Sequence, residues 1–154
     1  MNHIAISVFI ITLNEAKHLQ QVLAPLKQFD EVVLVDSGST DGTIEIANKA
    51  GVKVIHQDWL GFARQKQFAM QQCTNEWVLN LDGDEVVSET FVEKLQDVVN
   101  SQQFDAVRLY FEDIFWQKAM SPHSAKRSIV RCFKKSEVQY PMNRRVHENV
   151  QLPK

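Results

Sequence analysis

Trp77-Val78-Leu79-Asn80-Leu81-Asp82-Gly83-Asp84-Glu85 decides how the rest of the chain is read. A run of strand length, apolar but for Asn80, ends in three carboxylates within four residues, so a buried strand delivers negative charge to one point on a surface. Carboxylate oxygens suit hard divalent ions such as Mg²⁺ or Mn²⁺, and a site with one or two protein carboxylates leaves coordination positions for a ligand's phosphates. Asp82 and Asp84 are therefore expected to form a metal–diphosphate site. The same letters have a plainer reading. Asp-Gly between apolar residues is a strong hairpin signal, with Leu79 and Leu81 on one arm and Val86 and Val87 on the other. The neighbouring segments must choose between the two.

Upstream lie three more apolar runs: Ile4 to Thr12, Glu31 to Asp36 and Val52 to His56. The first two are too uniformly apolar for half-exposed antiparallel strands and belong inside a parallel sheet. Between the runs, Leu19, Val22, Leu23 and Leu26 recur at helical spacing, with Pro25 limiting that helix. Ile44, Ile46 and Ala47 follow a hydroxyl-rich turn, Ser37 to Thr43, that offers a helix N-cap, and Gly51 closes the element. A third helix runs from about Gly61 to Gln72, with Phe62, Phe68, Ala69 and Cys73 among its apolar positions. Strand and helix alternating at short intervals are βαβ units, so the first 85 residues should form an open, mostly parallel α/β sheet with helices on both faces. Downstream, Ser88 can cap a helix carrying Phe91, Val92, Leu95 and Val99. Val107, Leu109 and Phe111 alternate as a strand, and Ile129 to Phe133 is another. Glu112 to Arg127 has no period and reads as a loop near a ligand, or as a cover for the sheet edge.

The 154 residues, 44% of them hydrophobic, suffice for one domain with its own core. The longest apolar run, Ile4 to Ile11, falls well short of the roughly 20 residues of a membrane-spanning helix, and no basic leader precedes it. Cys73 and Cys132 lack ligand spacing, which fits two unpaired thiols in a reducing cytoplasm. Charge is unevenly placed. Residues 1 to 116 hold 8 basic and 17 acidic side chains, whereas residues 117 to 154 hold 9 basic and 2 acidic. Lys126, Arg127, Arg131, Lys134, Lys135, Arg144 and Arg145 are positioned to meet a phosphorylated substrate or the anionic leaflet of a membrane, or simply to balance an acidic body. No nucleic-acid partner is expected.

Ligands of open α/β sheets bind beyond the carboxyl ends of the strands. Thr12-Leu13-Asn14-Glu15, Asp36-Ser37-Gly38 and Asp82-Gly83-Asp84 all stand at such ends, so three polar clusters should share one rim. Asp36 can accept from a base N–H, and Gly38 permits close backbone approach. A dinucleotide-dependent oxidoreductase would place Gly-x-Gly-x-x-Gly after the first strand, and Thr12 to Glu15 holds no glycine. A nucleotidyltransferase would usually carry a Gly- and Arg-rich phosphate loop there, and a phospho-receiver domain would place its acidic pair after the first strand.

The motifs Ile10-Ile11-Thr12-Leu13-Asn14-Glu15, Val35-Asp36-Ser37-Gly38-Ser39-Thr40-Asp41-Gly42-Thr43 and Leu81-Asp82-Gly83-Asp84-Glu85 resemble, in order and spacing, those of the family 2 nucleotide-sugar-dependent glycosyltransferases. Trp59-Leu60-Gly61-Phe62-Ala63-Arg64-Gln65-Lys66 and Arg145-Val146-His147-Glu148 are similar to segments of the bacterial lipopolysaccharide inner-core β-glucosyltransferases. The resemblance implies a GT-A fold, a nucleotide-diphospho-sugar transferase arrangement, in which Thr12, Asn14, Glu15, Asp36 and Gly38 surround base and ribose. It implies that Asp82 and Asp84 are an Asp-x-Asp motif for Mg²⁺ or Mn²⁺, Asp84 as the ligand and Asp82 near ribose or metal, and that Arg64 approaches the phosphates. It further implies an inverting transfer of a hexose, glucose in the first instance, from a UDP-sugar to a lipopolysaccharide-core or related glycan or glycolipid acceptor, with Glu148 as base. His147 is a second candidate metal ligand. Residues 1–100 then form the donor half of a single domain and 101–154 a partial acceptor half, since relatives usually continue further. The location expected is cytoplasmic or peripheral on the inner face of the cytoplasmic membrane. A non-catalytic nucleotide-sugar-binding domain of the same fold is the alternative.

Overall fold

A computed structural model describes residues 3–103, 106–110, 114–116 and 128–137. The strands are Ile4–Thr12 (β1), Phe29–Asp36 (β2), Lys53–His56 (β3), Trp77–Asp82 (β4), Glu85–Val87 (β5), Ala106–Tyr110 (β6), Ile114–Trp116 (β7) and Ser128–Lys134 (β8). The helices are Ala16–Leu23 (α1), Thr43–Lys49 (α2), Phe62–Gln71 (α3) and Glu89–Ser101 (α4). Six strands form one sheet in the order β3-β2-β1-β4-β8-β6. The first four run parallel, and β8 is antiparallel to both of its neighbours.

Both faces of this sheet are covered, which is why its central strands show so little polar alternation. Ile4, Ile6, Val8 and Ile10 of β1 pack with Leu19, Val22, Ala47, Phe91 and Leu95 from α1, α2 and α4. Phe9, Val33, Val35 and Val78 face the other way, against Ala63, Ala69 and Met70 of α3 and against Phe133. The chain winds outward from β1 through β2 to β3, then α3 carries it back to β4 on the other side of β1. Strand order therefore reverses between β1 and β4, where an open α/β sheet leaves a crevice at its carboxyl ends. Register keeps those ends level: Thr12 lies beside Asp36, Ile11 beside Asp82 and Asp36 beside His56.

Asp82-Gly83-Asp84 is not a hairpin. β4 pairs with β1 over Val78 to Asp82 and with β8 over Trp77 to Leu79, while β5 does not fold back on β4 but pairs with β7 in a separate two-stranded ribbon. Ile114–Trp116 correspondingly corrects the expectation of an irregular segment over 112–127. Three residues are too few to show a period, and the rest of that stretch lies outside the described residues. The cap of α2 also differs. Gly42 occupies the N-cap position, and the Asp41 carboxylate, rather than a hydroxyl, accepts the Thr43 N–H at 2.9 Å. Pro25 sits in a short 3₁₀ turn that follows α1. Cys73 and Cys132 are unpaired and buried, and burial pushes both thiols up, Cys73 to about 12.

Ser88 caps α4 as expected, its Oγ accepting the Phe91 N–H at 3.1 Å. Ser88→Ala should cost about 1 kcal/mol, the usual worth of such a cap, with the slope of a urea unfolding curve unchanged. An unchanged midpoint would show that α4 is held by Phe91, Val92 and Leu95 alone.

Candidate active site

The loops after β1 and β2 are stitched together by side chains. Asn14 adopts a left-handed conformation at φ 56°, from which its Oδ1 accepts the N–H groups of Thr40 at 2.8 Å and Asp41 at 3.3 Å. The Asn14 N–H donates to Ser39 Oγ at 2.8 Å, and the Glu15 N–H to Thr43 Oγ1 at 2.9 Å. Beneath them, Asp36 is fully buried. Its Oδ1 accepts the hydroxyls of Thr12 at 2.8 Å and Ser39 at 2.5 Å, and its Oδ2 accepts the N–H groups of Gly38 at 2.9 Å and Ser39 at 2.7 Å. Four donors fill the ordinary capacity of a carboxylate. Burial pushes the Asp36 carboxyl up, but the bonds from Ser39, Gly38 and Thr12 outweigh it and hold the group below its ordinary 3.8.

The other side of the crevice is the end of β4. Glu85 is only 1% exposed, and its Oε1 accepts the Asp82 N–H at 2.7 Å. Arg131, arriving on β8, grips the same carboxylate at 2.8 and 3.2 Å, donates to the Asn80 carbonyl at 3.4 Å and stands 3.8 Å from Asp82 Oδ2. Burial and the charge of Asp82 push the Glu85 carboxyl up, while Arg131 opposes them. Arg131 is thus an internal ion-pair partner. Its assignment to an anion-facing surface is corrected: residue 131 falls at the register shift between β6 and β8 and is buried against Glu85. Lys135, another member of that basic group, donates to the Cys73 carbonyl at 2.7 Å. Lys126, Arg127, Arg144 and Arg145 lie outside the described residues.

The turn between these carboxylates requires glycine. A Cβ on Gly83 would stand 2.6 Å from Cγ of Glu15 and 3.2 Å from its Cβ, so Glu15 lies directly on the turn. Asp82 and Asp84 flank that contact, both half-buried. They line a cavity of about 550 Å³ with Thr12, Leu13, Glu15, Ser37, Trp59, Phe62 and Lys66. A larger recess of about 710 Å³ opens at the amino ends of β2 and β3, the wrong end of the strands for this class of sheet.

Of the residues singled out in the sequence, Thr12, Glu15, Asp82 and Asp84 meet in the cavity. Asn14, Asp36 and Gly38 shape its rim from behind. Arg64 is exposed and does not line it; Lys66, two residues on, is buried and does. At 100° per residue those positions lie on nearly opposite sides of α3, a distinction available from helical geometry once Ala63, Ala69 and Met70 identify the inner face. Glu85 appears in the sequence as one of three clustered carboxylates, Arg131 as one of a basic group and Lys66 within the motif over 59–66, with nothing to mark their individual places in the site. Glu148 and His147 lie outside the described residues.

Residues 7–146 match the family model described as glycosyl transferase family 2. The chain belongs to this family. A glycosyltransferase of Rickettsia conorii is 42% identical over 106 residues, 68% of this chain and 38% of that protein. The lipopolysaccharide core biosynthesis glycosyltransferase LpsC of Rhizobium meliloti is 31% identical over 160 residues, covering 94% of this chain and 56% of that one. The chain therefore spans between 38% and 56% of these two relatives. Among solved structures, Staphylococcus aureus TarS superposes with a TM-score of 0.64 at 18% identity, over 94% of this chain and 52% of that one. Glucosyl-3-phosphoglycerate synthase of Mycobacterium tuberculosis, in complex with Mn²⁺, UDP and glucosyl-3-phosphoglycerate, does so at 0.56 and 23%, over 66% and 42%. These likenesses establish the GT-A fold.

Asp36 generates a test of this family 2 rim. Because its folded pKa lies below 3.8, its carboxylate contributes stability that is complete above that value and is lost as pH falls through the folded one. Asp36→Asn, which turns an amide toward buried donors, should cost about 1–3 kcal/mol at neutral pH. The deficit against the parent chain should shrink in acid, as followed by urea unfolding; a deficit independent of pH would remove the charged carboxylate from the explanation.

Proposed function

We propose that the chain carries the donor half (residues 1–100) and part of the acceptor half (101–154) of a metal-dependent, inverting hexosyltransferase. The donor is a UDP-sugar, UDP-glucose in the first instance, and the acceptor a glycan or glycolipid of the lipopolysaccharide-core kind. The observation that carries this reading is the meeting of Thr12, Glu15, Lys66 and the Asp82-Gly83-Asp84 turn in one cavity beyond the carboxyl ends of β1 and β4. The name of the Rhizobium relative supports the acceptor class, and the Mycobacterium synthase, crystallised with Mn²⁺ and UDP, supports the donor and the metal.

The donor set fits a hard divalent cation. Asp82 and Asp84 offer carboxylate oxygens either side of Gly83, two protein ligands rather than a full coordination set. Coordination positions then remain for a diphosphate. Asp84 would ligate directly, while Asp82, close to Arg131, would face ribose or metal. Asp82 and Asp84 would hold the cation where it could offset the charge of a departing diphosphate. Lys66, inside the cavity where Arg64 is not, supplies the basic contact to the phosphates. Asp36 and Asn14 act through the rim they hold, presenting Thr12, Leu13 and Ser37 to the nucleoside. Glu148 takes the acceptor hydroxyl's proton as that oxygen attacks the anomeric carbon from the face opposite the diphosphate, a contribution of about 10²–10⁴-fold.

Among the described residues no helix is long and apolar enough to cross a membrane. The proposed location is cytoplasmic, with peripheral contact at the inner leaflet through basic residues of 117–154 other than the buried Arg131.

Asp84→Asn should abolish Mn²⁺-dependent UDP binding in calorimetric titration while leaving the unfolding transition in place; undiminished binding would sink the metal assignment. Glu148→Gln should spare UDP binding and lower transfer to a core acceptor by two to four orders of magnitude. Normal turnover in that variant would remove Glu148 as base.

A further inference from the structure

Trp59 is half exposed, yet its orientation is fixed. Its ring stands edge-on to Phe62, with centroids 4.8 Å apart and planes at 88°. The loop that carries it is clamped from below by Gln65, a fully buried side chain on α3. Gln65 Oε1 accepts the Leu60 N–H at 3.0 Å, and Nε2 donates to the Gln57 carbonyl at 2.9 Å, so one amide brackets residues 57–60. Gly61, at φ +97°, makes the sharp entry into α3 that places Phe62 under the indole. An indole held in one orientation, with half its area exposed and part of it lining the cavity, is a preorganised surface for a flat ligand.

Sheet order shows what the ring would meet. Trp59 follows β3, whereas Asp82 and Asp84 end β4, and β3 and β4 are separated by β2 and β1. Three strand spacings put the strand ends about 14 Å apart along the rim. The cavity thus receives acidic side chains from the end of β4 and an aromatic pair from the segment that joins β3 to α3. A ligand whose diphosphate is held at Asp84 and Lys66 brings its heterocycle toward Leu13, Ser37 and Trp59.

We propose that the Trp59 indole, braced by Phe62 and positioned through Gln65, is the stacking platform for the heterocyclic base of the nucleotide. This rests on the donor-site reading above and adds to it the group that holds the base. Stacking is tolerant of base identity, so hydrogen bonds elsewhere on the rim must select among bases.

The test compares UDP with inorganic pyrophosphate, each titrated with Mn²⁺ into the 154-residue chain and into Trp59→Ala and Trp59→Phe. UDP affinity should fall about 5- to 150-fold in Trp59→Ala and less in Trp59→Phe, with pyrophosphate affinity unchanged in both. UDP should also quench the intrinsic fluorescence of the parent chain, and Trp59→Phe should remove that quenching. Equal UDP affinity in all three proteins overturns the platform, as does a parallel loss of UDP and pyrophosphate binding, which would mean that Trp59 shapes the cavity as a whole. Failure of the parent chain to bind UDP overturns the donor-site reading and the platform with it. Should Trp59→Ala not fold, Trp59→Phe decides through the quenching and the UDP-to-pyrophosphate ratio.

Discussion

A carboxylate buried beside its own acidic neighbours holds the site in shape. Glu85 accepts the Asp82 N–H and is gripped by both terminal guanidinium nitrogens of Arg131, so the backbone leaving β4 is fixed by a side chain three residues ahead and a cation on β8. Removing either partner would strand a charge in the interior, typically a loss of about 3–5 kcal/mol. An apolar pair of similar volume could replace the salt bridge at little cost in stability. It could not accept the Asp82 N–H, and the turn would lose its aim. The ion pair thus serves geometry more than stability.

From that anchor the rest of the crevice follows. The turn must pass close over Glu15, which only Gly83 permits. Glu15 is in turn placed by its N–H on Thr43, and the loop before it by Asn14 on Thr40 and Asp41. Asp36 ties the same loops to the end of β2 through Thr12, Gly38 and Ser39. Charge is distributed to match: Asp82 and Asp84 face the cavity with Lys66, while Arg131 offsets Glu85 behind them.

Much of this was legible in the sequence, for physical reasons. Continuous β-branched runs such as Val32 to Val35 can be satisfied only inside a two-faced sheet, and four such strands separated by helices leave few topologies. Polar clusters at strand ends then had to share a rim. What stayed hidden needed long-range partners or a known helix face. Asp82-Gly83-Asp84 looks like a hairpin until β5 is seen to pair with β7 rather than with β4. Arg131 looks like surface charge until Glu85, 46 residues earlier, is found beside it. Arg64 and Lys66 read alike until α3 turns one outward and the other into the cavity. Asp36, expected to meet a base, accepts four hydrogen bonds from its own chain that the sequence did not reveal.

The central claim is that a divalent cation and a nucleoside diphosphate occupy the crevice between the ends of β1 and β4. Crystals of the chain soaked with Mn²⁺ and UDP, measured for anomalous scattering at the manganese edge, test it most directly. The account predicts a peak on the Asp84 carboxylate, bridged to a diphosphate whose base lies toward Trp59. A manganese peak away from Asp82 and Asp84, or UDP seated in the recess at the amino ends of β2 and β3, would contradict it.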